Sequence, residues 1–232
     1  ETFTIGNFGA GNSTNGFLDN GWERDPGDNV FQSWNVEGAG IQNTTLTGPI
    51  VDATFNSRSR GTYMYARPSF VAGTVFTLES PCIDFTNTTG PRMDFAYHMF
   101  GAAMGTIAVD GLSGGNWVPF DSIVGEVQIA ESDPWETFTV DLTPLAGQVT
   151  KIRFRYICVG GNSRGDGAID DVVFYEPIPI DGAVVDIVSP VDSCGLTATT
   201  RVAIRIRNNG TSPLDTIPVA FMVDGMNMQI DT

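Results

Sequence analysis

The chain has 232 residues, 41% of them hydrophobic, and a formal net charge of −15 from 27 acidic and 12 basic residues. This apolar content is enough to bury a sizeable core and argues against disorder. The acidic excess makes nucleic acid and anionic membranes poor partners, and no apolar run approaches the roughly 18 residues that a membrane span needs.

Seven segments in which apolar and polar residues alternate follow one another along the chain and predict β-strands. In order, they are 61–67, 74–80, 93–100, 105–111, 135–142, 150–159 and 167–174. Turn sequences such as TNTTGP, LSGGN and GGNSRGDG separate them. Antiparallel strands joined by short polar turns indicate an all-β domain, a β-sandwich or jelly roll.

A domain boundary is predicted at FYEPIPIDG (174–182), where two prolines and a glycine follow the last of these strands. We therefore assign residues 1–176 to a first domain, 177–182 to a linker and 183–232 to a second β unit. The second unit is short for an Ig-like sandwich of about 100 residues. It is predicted to be a partial Ig-like domain, and the chain to be a piece of a longer protein with further domains.

Three cysteines, Cys82, Cys158 and Cys194, are far apart and form no CxxC motif. No zinc cluster or redox motif is therefore predicted. A bridge between Cys82 and Cys158 and a pair of buried thiols are both compatible with the sequence.

Several motifs of the first domain occur in the order of a known module: NGW (20–22), DNVFQSW (28–34), TGPIVDAT (47–54), LESPCIDF (78–85), YHMFGAAMG (97–105) and GDGAIDDV (165–172). With them, the domain resembles a MAM domain, the adhesion module of meprins, neuropilins and receptor tyrosine phosphatases, in its secreted bacterial form. The resemblance implies a jelly-roll β-sandwich, secreted or at the cell surface. The second unit is similar to the Ig-like, CARDB-like repeats that follow such modules, through CGL and RNNGT.

The acidic stretch ESDPWE places Glu131, Asp133 and Glu136 at a spacing known from glycosidases, where carboxylates on one strand point into one cleft. Pro134 removes a backbone donor in the middle of this stretch. The sequence therefore favours a turn that leads into the strand WETFTVDL over a catalytic strand. The only histidine, His98, has no GxSxG nucleophile motif to serve, and we expect it to be packed in a strand.

The stretch GAIDDVVF is irregular, because Ile169 and Val172 both appear core-facing although strand alternation places them on opposite faces. A bulge near Asp170 and Asp171 would resolve this conflict and turn a carboxylate inward, where a cation or hydrogen-bond donors must meet it. We expect a structural calcium ion, which takes six to eight oxygen ligands. Asp28 and Asp52, at motif positions of the family, complete the predicted ligand set; turn-capping roles are the alternative.

Exposed aromatic rings are the usual stacking surface for sugars. Trp117 follows the turn LSGGN and is a candidate, as are Tyr63 and Tyr65, although core packing is the alternative for each. The sequence thus predicts a non-catalytic recognition module that binds a glycan or an extracellular protein. The alternatives are a structural spacer without a ligand and a glycoside hydrolase centred on Glu131 and Glu136.

Overall fold

The computed structural model describes residues 3–5, 18, 21–25, 33–38, 45–57, 60–191, 197, 199–223 and 226–231. Within these residues the chain forms β-strands and a short 3-10 helix (Thr143–Leu145), and no α-helix, which confirms the all-β prediction. The strands are β1 (Phe3–Ile5), β2 (Glu23–Arg24), β3 (Trp34–Gly38), β4 (Thr62–Ala66), β5 (Val75–Glu79), β6 (Ile83–Asp84), β7 (Arg92–His98), β8 (Thr106–Ser113), β9 (Asn116–Val124), β10 (Glu136–Asp141), β11 (Val149–Thr150), β12 (Ile152–Ile157), β13 (Gly167–Tyr175), β14 (Gly182–Ser189), β15 (Ala203–Asn208), β16 (Val219–Val223) and β17 (Met226–Asp231).

The chain divides into two compact units, residues 1–176 and 177–232. Two large sheets build the first unit, and β6 and β11 form a small third one. Sheet A has the order β10-β7-β13-β4-β3, with β1 also paired to β13, and sheet B has the order β2-β5-β12-β8-β9. Successive parts of the chain pass from one sheet to the other, and all the pairings are antiparallel. This topology is that of the predicted jelly-roll β-sandwich.

The core lies between the two sheets and is rich in aromatic rings. Phe95 of β7 and Phe154 of β12 meet edge to face with their ring centroids 5.0 Å apart, which joins sheet A to sheet B. Trp34 and Tyr156 make a second edge-to-face contact at 6.2 Å. All four residues are buried. Burial of a large apolar side chain contributes about 2 to 3 kcal/mol, so this layer holds the sandwich together.

Each of the seven predicted segments coincides with a strand, but β1, β2, β3, β6, β9 and β11 were not predicted, and β9 is the longest of them. Strand β9 lies at the edge of sheet B, pairs with β8 among the described strands, and is mostly exposed, so its apolar residues show little alternation. It also contains Pro119, opposite Asp110, next to a register shift in the β8–β9 pair. An edge strand tolerates proline because one side of its backbone needs no partner. Trp117 lies at the start of this edge strand, just after the turn at Gly114 and Gly115, as predicted.

The second unit contains two hairpins, β14 with β15 and β16 with β17. Strand β14 exposes apolar side chains on both faces, among them Val184, Val185 and Ile187. The assignment of the second unit as a partial Ig-like domain stays a prediction. In the described part of the chain, no helix has the length and apolar character needed to cross a membrane.

Candidate functional site

Residues 45–57, here called the strap, run along the outer face of sheet A. The strap is held by backbone hydrogen bonds from Gly48 N to Phe100 O (2.8 Å) and from Ile50 N to Glu131 O (3.2 Å). The Trp135 Nε1 donates to the Val51 carbonyl at 3.0 Å. These contacts fix the strap against sheet A, so the side chains beneath it are shielded from solvent.

Tyr63 and Tyr65 lie under this strap and are only 6% and 5% exposed. Because β4 alternates, Met64 points into the main core while both tyrosines point to the outer face, where they pack with Ala168 and Trp135. The Tyr63 hydroxyl also donates to the Pro49 carbonyl. The expectation that these two rings are exposed for sugar stacking is wrong, because the strap covers them.

The predicted irregularity in β13 is confirmed. The register between β13 and β7 shifts between Asp170 and Val173, and Asp171 adopts a φ of 47°. As a result Ile169 and Val172 are both buried, and so is the carboxylate of Asp170. The bulge turns Val172 into the core, whereas Asp170 lies on the outer face with Ala168, where the strap buries it. The carboxylate is thus buried as predicted, but under the strap and not between the sheets.

The bulge brings three of the predicted metal ligands, Asp52, Asp170 and Asp171, into one acidic cluster. Asp170 Oδ2 accepts a hydrogen bond from Ala53 N, and its Oδ1 accepts one from Asp171 N. Asp52 Oδ2 accepts one from Phe55 N, whereas its Oδ1 is buried without a hydrogen-bond partner among the described residues. Asp28, the fourth predicted ligand, lies outside the described residues.

The electrostatics of the cluster are unfavourable for charged carboxylates. Burial, followed by the negative charges of Asp171 and Asp52, raises the pKa of Asp170 to about 7. Asp52 occupies the space that a side chain at Gly61 would need, since a Cβ there would lie 1.9 Å from Asp52 Oδ2. The glycine of RGTYMYAR thus makes room for a buried carboxylate, a role that the sequence pattern did not reveal.

The donor types suit a hard cation, since carboxylate oxygens are preferred calcium ligands. A cation would supply a partner for the buried Asp52 Oδ1, which has no hydrogen bond among the described residues. The three aspartates are near one another, but among the described residues no three Asp, Glu, His or Cys side chains are placed so that they could hold a metal ion by themselves. The described side chains therefore supply part of a ligand set, which backbone carbonyls or water would have to complete.

The carboxylates of ESDPWE are engaged in local structure. Glu131 accepts a hydrogen bond from the amide of Leu46 in the strap. Asp133 caps a turn by accepting from Ile129 N and Ala130 N at 2.8 and 2.9 Å. Glu136, the first residue of β10, accepts from the Tyr97 hydroxyl at 2.8 Å. The stretch is thus a turn that leads into a strand.

His98 is fully buried in β7 beside Trp135, with the ring centroids 5.8 Å apart. Neither ring nitrogen forms a hydrogen bond with a described residue. Burial lowers its pKa to about 4, against the opposing effects of the Asp133 charge and of the Asp133 and Ala130 carbonyls. The structure therefore places it as a packed strand histidine, as expected.

The two cysteines in the described part of the chain, Cys82 and Cys158, do not form a disulfide. Cys82 is exposed and Cys158 is buried. The buried Sγ accepts a hydrogen bond from the amide of Ser69. The predicted bridge is therefore not formed, and the alternative of buried thiols holds for Cys158 but not for Cys82.

On the outer face of sheet B, Asp110 holds two arginines. Its carboxylate accepts hydrogen bonds from Nε and Nη2 of Arg153 at 2.9 and 2.6 Å. It accepts two more from Nε and Nη2 of Arg155 at 2.6 and 2.8 Å. Burial alone would raise the pKa of Asp110, but the hydrogen bonds and charges of Arg155 and Arg153 outweigh it and lower this pKa.

Trp117 is half-buried on this face, and the Arg153 guanidinium lies over its ring, 4.4 Å from the centroid. This is cation–π geometry. Of the three predicted ligand-binding aromatics, Trp117 alone keeps substantial exposure. Sequence analysis missed the arginine pair, although the alternation in KIRFR already places Arg153 and Arg155 on one face.

Comparison with known proteins gives a match of residues 7–177 to the MAM domain, meprin/A5/mu, family. The K1 cleaved adhesin domain of Lys-gingipain from Porphyromonas gingivalis W83 is 20% identical, with a TM-score of 0.50 over 76% of this chain and 98% of that chain. The K2 cleaved adhesin domain of Lys-gingipain is 16% identical, with a TM-score of 0.44 over 75% and 99%. TmCBM61, solved with beta-1,4-galactotriose, is 16% identical, with a TM-score of 0.41 over 67% and 88%. At 20% identity, the likeness to the K1 domain extends to the fold alone.

Proposed function

The chain belongs to the MAM domain family, and from this membership we propose that it is a non-catalytic recognition module of a larger secreted or cell-surface bacterial protein. Its partner would be a glycan or an extracellular protein. The proposal rests on the family and on a difference between the outer faces of the two sheets. The strap occupies the outer face of sheet A, whereas sheet B presents the Asp110-fixed arginines and Trp117.

The arrangement of carboxylates supports a non-catalytic role. Hydrolysis of a glycosidic bond needs two carboxyl groups that face one another across a cleft. Glu131 instead holds the strap amide of Leu46, and Glu136 holds the Tyr97 hydroxyl. Both carboxylates are thus committed to fixing segments of the fold.

We further propose that a calcium ion is bound at the strap by Asp52 and Asp170, with Asp171 beside them. The buried Asp52 Oδ1 without a hydrogen-bond partner is the observation that carries this proposal. A divalent cation would offset the burial and the carboxylate repulsion that together raise the pKa of Asp170. Its role would be structural, because the same carboxylates fasten the strap to sheet A.

The test is retention of the purified chain on immobilised polysaccharides and surface glycoproteins, in calcium and again in chelator, with sugar release assayed in parallel. Selective retention without release of reducing sugar is expected. Retention on no surface would contradict the recognition proposal and favour a spacer. Release of reducing sugar, abolished in Glu131→Gln or Glu136→Gln, would replace it with a glycoside hydrolase.

A further inference from the structure

On the outer face of sheet B, residues that are paired across neighbouring strands form rows that run across the sheet. Phe154 and Tyr156 of β12 point into the core, so Arg155 between them points outward. Register places Thr77 on one side of Arg155 and Ala108 on the other, with Ser122 next to Ala108. All three neighbours are short. The Arg155 guanidinium is therefore flanked only by small side chains in its own row.

Positive charge is concentrated here, in an otherwise acidic chain. Lys151, Arg153 and Arg155 are three of the 12 basic residues and fall within five positions. Lys151 is compensated by Glu23 at 3.3 Å and by Glu79 at 3.8 Å. Among the described residues, the two arginines share Asp110 as their ion-pair partner. The three cations and the carboxylates of Glu23, Glu79 and Asp110 balance in number, but the carboxylate next in register, Glu79, lies beside Arg153, whereas the row of Arg155 contains none.

Asp110 holds both guanidinium groups in place, and each keeps hydrogen-bond donors that Asp110 does not use. Asp110 engages Nε and Nη2 of each arginine. Within the described residues, the Nη1 atoms of Arg153 and Arg155 make no hydrogen bond. A guanidinium with a fixed orientation loses little entropy on binding and matches the planar geometry of a carboxylate or the oxygens of a sulfate. The pair is thus preorganised for an anionic group.

The next row towards the end of the sheet is apolar. Val75, Ile157 and Val124 lie in register there, with Thr106 between the last two, and Val75 and Val124 are 41% and 72% exposed. An anion placed on Arg155 would therefore lie beside an exposed apolar row, while the half-buried Trp117 borders the arginine pair on the other side. A sugar ring offers this combination, since it carries polar substituents around apolar C–H faces.

We propose that the Arg155 face of sheet B binds a carboxylated or sulfated glycan, with the anionic substituent on Arg155 and Arg153. This inference rests on the proposed recognition function and names the ligand class and the site. The chain's overall charge of −15 does not oppose it strongly. Charges farther away than the Debye length, about 8 Å at physiological ionic strength, are largely screened.

The experiment uses hyaluronate as the carboxylated probe, dextran sulfate as the sulfated probe and neutral dextran as the reference, with the full chain in affinity electrophoresis. Retention by one or both anionic probes and none by neutral dextran is expected, weakening at least tenfold in Arg155→Gln and falling as salt is raised. The two anionic arms decide between carboxylate and sulfate. The matched control is Arg205→Gln, which removes an arginine from a surface ion pair in the second unit and should change nothing.

A second variant tests the site without removing an arginine. Ser122 is exposed on edge strand β9, so Ser122→Asp places a negative charge in the Arg155 row at little risk to folding, and Ser122→Asn is its neutral control. The aspartate should abolish retention by the anionic probes and the asparagine should preserve it.

The outcomes separate this inference from the proposed function. Equal retention on neutral and anionic glycans, or anionic retention indifferent to Arg155→Gln and Ser122→Asp, would overturn the site while leaving a recognition module. Poly-glutamate is tested beside the three polysaccharides, and retention by it alone would replace the glycan with an acidic protein partner. Retention by no glycan and no glycoprotein would overturn both proposals together.

Discussion

The amide of Ala53 donates a hydrogen bond of 3.1 Å to Oδ2 of Asp170, across 117 residues of sequence. This bond joins the strap to the bulge of β13. It also places the strap residue Asp52 near a second buried carboxylate, so that the fold brings like charges together where it fastens its outer layer. The stability of the strap is therefore expected to depend on protons and cations.

Without divalent cations, the contribution of Asp170 to the free energy of unfolding should decrease as pH rises from about 4 to about 7. The raised pKa of Asp170 means that the folded state holds a proton that the unfolded state has released, so the contribution is complete below the unfolded pKa of 3.8 and is lost through about 7. The loss is on the order of 3 kcal/mol. Urea unfolding in chelator at pH 5 and pH 7.5 measures it as the difference between the unsubstituted chain and Asp170→Asn, because both share the opposite contribution of His98.

Asp170→Asn is the control for this pH effect, because the amide cannot titrate and keeps an acceptor for Ala53 N. The variant should lack this part of the pH dependence. A pH profile identical to that of the unsubstituted chain would show that Asp170 titrates normally.

Calcium should raise the melting temperature at pH 7.5, since a ligand that binds only the folded state stabilises it by about 2.7 kcal/mol at 100 times Kd. Both Asp52→Asn and Asp170→Asn should diminish this shift. Asp186→Asn, in an exposed ion pair of the second unit, is the matched control and should leave it intact. Equal melting in calcium and in chelator would refute the metal site.

The contribution of His98 to the free energy of unfolding should change with pH in the direction opposite to that of Asp170. Its pKa is lowered by burial to about 4, so the stability it contributes is present above 6.5 and lost as pH falls towards 4. The loss is on the order of 2 to 3 kcal/mol. His98→Phe removes the titrating ring, and the difference between the two pH profiles of unfolding isolates the effect. Parallel profiles between pH 4 and 7 would contradict the assignment.

Gly61→Ala should be strongly destabilising, by several kcal/mol, because its Cβ would lie 1.9 Å from Asp52 Oδ2 at a φ of 88°. Gly73→Ala is the matched control, since Gly73 has a φ of 80° but nothing within 4 Å of the added Cβ. The control should cost only the backbone strain of about 1 kcal/mol. Chemical denaturation compares the two, and equal losses would mean that Asp52 moves aside freely.

Features that depend only on neighbouring residues could be predicted from the sequence. Strand alternation in KIRFRYICV and the conflict of phase in GAIDDVVF are local patterns, because a side chain's face is set by its position in the strand. Both the strand β12 and the bulge at Asp170 were therefore predictable. Pro134 likewise indicated a turn ahead of β10, since it has no amide to give to a sheet.

Only the tertiary structure decided which faces remain available and which charges meet. Tyr63 and Tyr65 have the pattern of any strand aromatics, and they are buried because the strap lies over them. The sharing of Asp110 by Arg153 and Arg155, and the fit of Asp52 against Gly61, join residues from different strands and loops. Such contacts depend on strand order and on the path of connecting segments, which long-range packing sets and a local pattern does not encode.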